Sequence, residues 1–307
     1  MVSGASDPPV VVAVGEHRAE AAVAWAVEEA SRRGCAVHLV HVARRMPGGV
    51  PPSVLERVDS HEYGREVLDR AAQLARDLSG GRVRVSTELA KGATVPAVSR
   101  AADAGCMVVL QHRALSRARR VITRSVTSAL AASTRVPVVA VPEDWGPEAT
   151  HGIVSVGVED PGTARALLRE AVNTAVGRGA RLRILHAAMS PDVYSDSILT
   201  TVEIAEVDNW LAWSTAALHG AVDDLVEESG VDAEVEVTGD AAADLLIEAT
   251  GSSELLLLGR HEPNVPYGSH PGPVVRAVIR EAQCPVVLVS LSEPVAPGDT
   301  VHRDLLR

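Results

Sequence analysis

The chain alternates short apolar runs with longer amphipathic stretches. The runs VVVAV, MVVL, LLLL and PVVLV are apolar at nearly every position, which is typical of strands buried on both faces of a parallel sheet. The stretch AEAAVAWAVEEASRR has helical spacing instead, and it places on one face Ala22, Val23, Ala26, Val27 and Ala30. Strands that alternate with helices predict βαβ units and an α/β fold.

The pattern occurs twice along the chain. His41 and His186 close the two second strands at an offset of 145 residues, and the closing runs RVPVVAV and QCPVVLV repeat at an offset of 148. A repeat of this length predicts a duplicated domain rather than a solenoid. We predict domains at 8–143 and 150–291, a Pro- and Gly-punctuated join near 142–152, and a C-terminal tail at 292–307.

Five strands are predicted in each copy. They lie near 10–14, 36–42, 82–88, 106–111 and 137–141 in the first copy, and near 152–158, 181–187, 232–238, 254–259 and 285–290 in the second. The third strands alternate apolar with polar residues, so we expect half-exposed edges there. A long helix is predicted over 197–229, and its Trp210 and Trp213, three positions apart, are expected to pack in a core or an interface.

Composition excludes several classes of protein. No run of about 18 apolar residues exists, so we expect no membrane span. The three cysteines lack CxxC spacing and no secretory signal is evident, so we expect a cytoplasmic protein. The net charge of −11 argues against a nucleic-acid partner. That charge divides into +3 over residues 1–150 and −14 over the rest, which favours docking between the halves.

Known catalytic patterns are missing from the sequence. The eleven histidines form no HxH or HxxxH pair near carboxylates, so no zinc site is expected. Neither the GxSxG nucleophile elbow nor the GxxxxGK[ST] phosphate loop occurs. The matched positions of His41 and His186 favour buried structural imidazoles over catalysts. We therefore expect a protein that is not an enzyme.

The Ala-rich first helix, the strand end LVHV and the closing runs RVPVVAV and QCPVVLV resemble the universal stress protein family in its tandem two-domain form. The resemblance covers residues 8–143 and 150–291. It implies two Rossmann-like domains of the adenine nucleotide alpha hydrolase-like type. Each would hold a five-stranded parallel sheet of order 3-2-1-4-5 flanked by helices. It also implies a stress-response role and pairing through the fifth strands, and it allows a homodimer.

ATP-binding members of that family carry Gly, two residues, Gly, nine residues, then Gly-Ser or Gly-Thr, with an Asp after the first strand. The second copy keeps this spacing at Gly259, Glu262, Gly272 and Pro273, with Glu159 in place of Asp. Glu262 brings a carboxylate towards the phosphates, and Pro273 lacks both a hydroxyl and an N–H. For ATP or another adenine nucleotide, the candidate contacts are Glu159, Ala187, Gly259, His261, Gly272 and Val274.

The first copy departs further from that loop. Gln111, Ala114, Arg124 and Ser125 stand at the corresponding positions, and Val14 replaces the Asp, so all three glycines are lost. The segment 113–124 contains five arginines, Arg113, Arg117, Arg119, Arg120 and Arg124. It is either a solvated basic face or an anion site at Arg113, Arg124 and Ser125.

The sequence favours a non-enzymatic stress or regulatory protein with degenerate ATP-binding loops. The alternatives are an ATP- or AMP-binding sensor that uses one copy, and a weak ATPase. The fifth strands are apolar on both faces and fall at a sheet edge, where an uncovered strand invites aggregation. We therefore predict that each copy covers the other's fifth strand in an internal pseudo-twofold dimer, which a proline at Val139 or Val287 should open.

Overall fold

The structure, a computed structural model, describes residues 7–15, 19–43, 60–112, 126–148, 151–188, 201–260 and 271–291. Within these residues the first copy contains β1 (Val10–Ala13), α1 (Glu20–Arg33), β2 (Val37–Ala43), α2 (Ser60–Ser79), β3 (Val85–Lys91), α3 (Thr94–Ala102), β4 (Met107–His112), α4 (Val126–Ala131) and β5 (Val138–Pro142). The second contains β6 (Ile153–Gly157), α5 (Arg165–Arg178), β7 (Arg181–Ala187), α6 (Thr201–Ser229), β8 (Ala233–Thr238), α7 (Ala242–Thr250), β9 (Leu255–Arg260), α8 (Pro273–Glu281) and β10 (Val286–Ser290). The predicted tail 292–307 lies outside the described residues.

All ten strands belong to one sheet of order β3-β2-β1-β4-β5-β10-β9-β6-β7-β8. Strands within a copy are parallel, and each copy follows the order 3-2-1-4-5, which confirms the predicted fold class. The two fifth strands, β5 and β10, pair antiparallel with Val139 opposite Val287. Without this pairing, each fifth strand would be a sheet edge with exposed backbone donors and acceptors, and the pairing gives these groups hydrogen-bond partners.

The hydrogen-bond directions along β5 correct one part of the sequence analysis. Val108 donates its N–H to the carbonyl of Pro137 at 2.9 Å, so the backbone groups of Pro137 and Val139 point towards β4. Because backbone groups alternate sides along a strand, those of Val138 and Ala140 point towards β10. A proline at Val139 would therefore disturb the first copy's own sheet, and Ala140 is the better position for testing the contact between copies.

Each face of the sheet carries one core that runs through both copies. The first core lies under α1, α2, α5 and α6 and includes Val139 and Val287. The second lies under α3, α4, α7 and α8 and includes Val138 and Leu288. The predicted apolar face of α1 is buried in the first core. Burying one such Val or Leu side chain contributes about 1.5–3 kcal/mol, so the strands at the join stabilise both copies.

Buried charges form a second link between the copies. Arg178, the last residue of α5, donates to the Glu29 carboxylate of α1 at 2.5 Å and to Glu254 at 3.1 Å. The three side chains are only 7%, 6% and 8% exposed, respectively. The guanidinium of Arg260, at the end of β9, donates to carbonyls of the first copy at Ala131, Thr134 and Val136.

Two elements differ from their sequence-based predictions. The third strand begins at Val85 rather than at residue 82, because Gly80 and Gly81 adopt positive φ angles of 57° and 77° in the turn after α2. Both third strands do lie at the outer edges of the sheet. Of the two kinds of packing expected for the tryptophans of α6, a core is wrong for Trp213, and an interface stays a prediction. Trp213 is 60% exposed and stacks on Trp210 with ring centroids 5.2 Å apart. No helix among the described residues is both long and apolar enough to span a bilayer.

Candidate functional site

A cavity of about 360 Å³ opens at the carboxyl ends of β6 and β9 in the second copy. In a sheet of order 3-2-1-4-5 these two strands flank the switch point, where ligands of open α/β sheets bind. Five of the sequence-predicted residues line the cavity, namely Glu159, Ala187, Gly259, Gly272 and Val274. His261 and Glu262 lie outside the described residues. Sequence reasoning missed Asp160, Arg260 and Leu291, which also line it.

The two glycines of this cavity have different surroundings. A Cβ on Gly259 would lie 2.7 Å from a methyl carbon of Leu291, so glycine lets Leu291 pack across the strand end. Among the described residues, and apart from the chain neighbours of Gly272, no atom lies within 4 Å of the corresponding position on Gly272, whose φ of −58° any residue can adopt. The fold does not require glycine at 272, and its missing side chain leaves room in the cavity. Pro273 is the first residue of α8, where the missing N–H has no partner within the helix.

Carboxylates dominate the polar rim of the cavity. Glu159 and Asp160 follow β6, and Asp160 accepts hydrogen bonds from the N–H of Gly162 at 2.9 Å and the hydroxyl of Thr163 at 3.2 Å. Arg260 is the cation in the lining, but it is buried and donates to carbonyls of the first copy. A like charge about 4 Å away costs roughly 1 kcal/mol even in water. Among the described residues, the carboxylates of the rim would therefore repel a polyphosphate placed beside them.

In the first copy, a side chain from the end of β4 caps the N-terminus of α1. Gln111, near the end of β4, accepts hydrogen bonds on Oε1 from the backbone N–H of Ala21 at 3.1 Å and of Ala22 at 3.5 Å. These N–H groups belong to the first turn of α1, where free donors would attract an anion. The amide of Gln111 thus satisfies two of the donors at this helix N-terminus. A long amide side chain in place of the loop's first glycine was the sequence signal for this cap.

The predicted anion site of the first copy cannot be compared with the structure. Arg113, Arg124, Ser125 and Ala114 lie outside the described residues. The proposal that an anion binds beside the arginines therefore stays a prediction.

His41 and His186 occupy the matched structural positions that the sequence indicated. Each is buried, and each bonds through Nδ1 to the carbonyl that follows the first strand of its copy, Val14 at 2.8 Å and Val158 at 2.9 Å. A carbonyl can only accept, so Nδ1 carries the proton in both rings. The two imidazoles fasten the second strand of each copy to the end of the first.

The profile of the universal stress protein family matches residues 8–142 and again 152–290. This chain belongs to the universal stress protein family. Universal stress protein Rv1996 of Mycobacterium tuberculosis is 25% identical over 94% of this chain and 97% of its own length. Universal stress protein Rv2005c of the same species is 25% identical over 92% and 97%.

Solved structures share the fold of this universal stress protein. A universal stress protein from Archaeoglobus fulgidus aligns with a TM-score of 0.65 and 14% identity, covering 92% of this chain and 98% of that one. A functionally unknown protein from Pseudomonas aeruginosa PAO1 aligns with a TM-score of 0.56 and 15% identity, covering 92% of each chain. Both alignments span the two tandem domains.

The three cysteines of this universal stress protein form no disulfide among the described residues. Cys35 and Cys284 are buried and Cys106 is partly buried. Burial raises the pKa of Cys106 to about 11 and that of Cys284 to about 12. Because the thiolate is the nucleophile, both thiols are weakly reactive at neutral pH. Among the described residues no cluster of three or more His, Cys, Asp and Glu side chains could hold a metal ion.

Proposed function

We propose that this universal stress protein is a non-enzymatic stress-response or regulatory protein of the cytoplasm, with two degenerate nucleotide loops. The observation that carries the proposal is the hydrogen bond of Gln111 to the first turn of α1. In the first copy, two backbone donors at the N-terminus of α1 already have an acceptor, and that acceptor is the side chain at the loop's first glycine position. In the second copy a cavity opens at the carboxyl ends of β6 and β9, but Glu159 and Asp160 line its rim.

A second candidate function is supported by the cavity of the second copy. Its volume of about 360 Å³, its place at the switch point and the open position of Gly272 suit a small ligand such as an adenine nucleoside. Adenosine lacks the phosphate charges that the rim disfavours. In this alternative the protein senses a nucleoside through one copy without hydrolysing it.

Thermal unfolding with ligands separates these functions. We expect no change in melting temperature with about 1 mM ATP-Mg, because ligand at 100 times its dissociation constant would stabilise the protein by about 2.7 kcal/mol. A shift of several degrees with ATP-Mg would contradict the proposal. A shift with adenosine alone would support the second candidate, and release of phosphate from ATP would favour a weak ATPase.

Replacing Gln111 tests the closure of the first copy. Gln111→Ala should lower the free energy of unfolding by about 1 kcal/mol, the usual cost of losing an acceptor at a helix N-terminus. It should also create sensitivity to inorganic phosphate, since the donors of Ala21 and Ala22 become free. Urea unfolding with and without phosphate measures both effects.

Two further variants serve as controls for Gln111. Gln111→Glu keeps an acceptor of similar length and adds a charge that the helix N-terminus favours, so its stability should stay near that of the wild type. Gln73→Ala removes an exposed amide that bonds only Asp77 on the same helix, and it should change neither property. If all three variants showed the same stability and the same response to phosphate, Gln111 would have no capping role.

A further inference from the structure

A second cavity of about 280 Å³ lies between α1 and α5, where the two copies meet. Trp25, Glu29 and Arg33 of the first copy form one wall, and Glu170, Thr174 and Arg178 of the second form the other. The floor is apolar and comes from both copies, and its residues are Met107, Pro137, Leu255, Leu257, Val287 and Val289. Any molecule in this cavity would therefore contact both halves of the chain.

Most charges around the cavity are paired with one another. Arg178 bonds Glu29 and Glu254, and Nε of Arg33 bonds Glu29 at 2.6 Å. Arg178 also lies 5.8 Å from the ring centre of Trp25, which covers that face of the indole. The guanidinium groups of Arg33 and Arg178 thus already have protein acceptors. They therefore have little capacity left to bind an incoming anion.

Glu170 differs from these groups. Among the described residues it makes no hydrogen bond and no ion pair, although its side chain lines the cavity. Burial raises the pKa of the Glu170 carboxyl, and the nearby Arg33 opposes that rise only in part. A half-buried carboxylate without a partner is costly, because it has lost solvent without gaining a hydrogen bond. A donor that enters the cavity would restore that partner.

The position of Glu170 defines the chemistry of that donor. Thr174 lies one turn further along α5 and lines the same wall, so the two side chains are neighbours on the helix surface. An alkyl chain can lie on the apolar floor, where Val287 and Val289 are almost fully buried. We propose that the cavity binds a small primary ammonium compound, with the ammonium on Glu170 and Thr174 and its apolar chain over Val287 and Val289.

The sign of the charge follows from the surrounding groups. An ammonium has three donors and no acceptor, which suits a carboxylate and a hydroxyl placed side by side. A carboxylate ligand would meet Glu170 with like charge, and a neutral alcohol would bring no positive charge to that carboxylate. Because the ligand bridges both copies, its binding stabilises the docked arrangement and resists separation of the halves.

Three six-carbon compounds test the proposal on the full-length chain, namely hexylammonium, hexanol and hexanoate. At about pH 8 an alkylammonium keeps its proton, since its pKa is close to that of lysine. Hexylammonium should raise the melting temperature and shift the NMR signal of the Met107 methyl group in protein labelled at methionine methyls. Hexanol should bind at least about tenfold more weakly than hexylammonium, and hexanoate should have no effect.

Glu170→Gln provides the matched variant. It keeps the shape of the side chain and removes the charge, so it should fold at least as stably while weakening hexylammonium by about tenfold or more. Glu227→Gln, at an exposed position of α6, should leave binding unchanged. The proposal is overturned if hexanol matches hexylammonium, if Glu170→Gln binds as the wild type does, if the Met107 signal stays fixed, or if no compound binds.

Discussion

Replacing Arg178 with methionine is expected to lower the free energy of unfolding by about 3–5 kcal/mol. The change leaves Glu29 and Glu254 buried without their shared cation, and breaking a buried pair from one side costs about this much. Burial raises the pKa of Glu29, but Arg178 and Arg33 lower it by more, so the pKa lies below its ordinary value. Urea unfolding of the wild type and the variant at neutral pH gives the difference.

A control and a rescue separate this effect from general damage to α5. Arg165→Met on the same helix breaks an exposed pair with Asp224, and it should cost far less stability than Arg178→Met, because solvent screens the pair. Adding Glu29→Gln and Glu254→Gln to Arg178→Met should recover most of the loss, because the buried charges are then removed together. If Arg178→Met lowers the free energy of unfolding no more than Arg165→Met does, the network does not hold the copies together.

The pH dependence of stability offers a further check on the same network. A carboxyl group whose pKa falls on folding stabilises the protein above its unfolded pKa, and this contribution is lost as the pH falls through the folded pKa. The contribution of Glu29 should therefore be present at neutral pH and lost in acid, below its ordinary pKa of 4.5. In Arg178→Met this acid-side loss should be smaller.

Ala140→Pro is expected to separate the two copies. The N–H of Ala140 points towards β10, where its register partner is Val286. Proline removes that donor and leaves a buried carbonyl without a partner, which costs about 1–3 kcal/mol before any steric clash. The radius of gyration in solution scattering should increase while most helical circular dichroism remains.

Val139→Pro is the matched control for Ala140→Pro. Its missing N–H would have faced β4, so it should destabilise the first copy without separating it from the second. Similar stability losses with different radii of gyration would support the contact between β5 and β10. An unchanged radius for Ala140→Pro would mean that this strand pair is not what joins the copies.

The sequence could predict the fold because its signals are local and occur twice. Apolar runs identified the strands, and the spacing of residues such as Ala22 and Ala26 identified the buried helix faces. The third strand was misplaced by three residues because Gly80 and Gly81 turn the chain after α2. Apolar alternation continues through Val83, so periodicity alone could not show where pairing with β2 begins.

The candidate site could be predicted only where it depends on strand order. Ala187 and Gly259 lie together because carboxyl ends of parallel strands meet at one edge of the sheet. Arg260 was missed because its acceptors belong to the other copy. The pair of Arg178 with Glu29 spans 149 residues, and no local spacing encodes such a contact. The capping role of Gln111 depends on a distance between β4 and α1 that only the folded chain sets.

Native mass spectrometry of the full-length protein tests the central claim that neither copy holds ATP. The protein would be measured as purified, and again after incubation with about 1 mM ATP-Mg and removal of free nucleotide. We predict the mass of the chain alone in both samples, with no ATP, ADP or AMP released on denaturation. A mass increase of one or two nucleotides per chain, with the same nucleotide recovered on denaturation, would contradict this account.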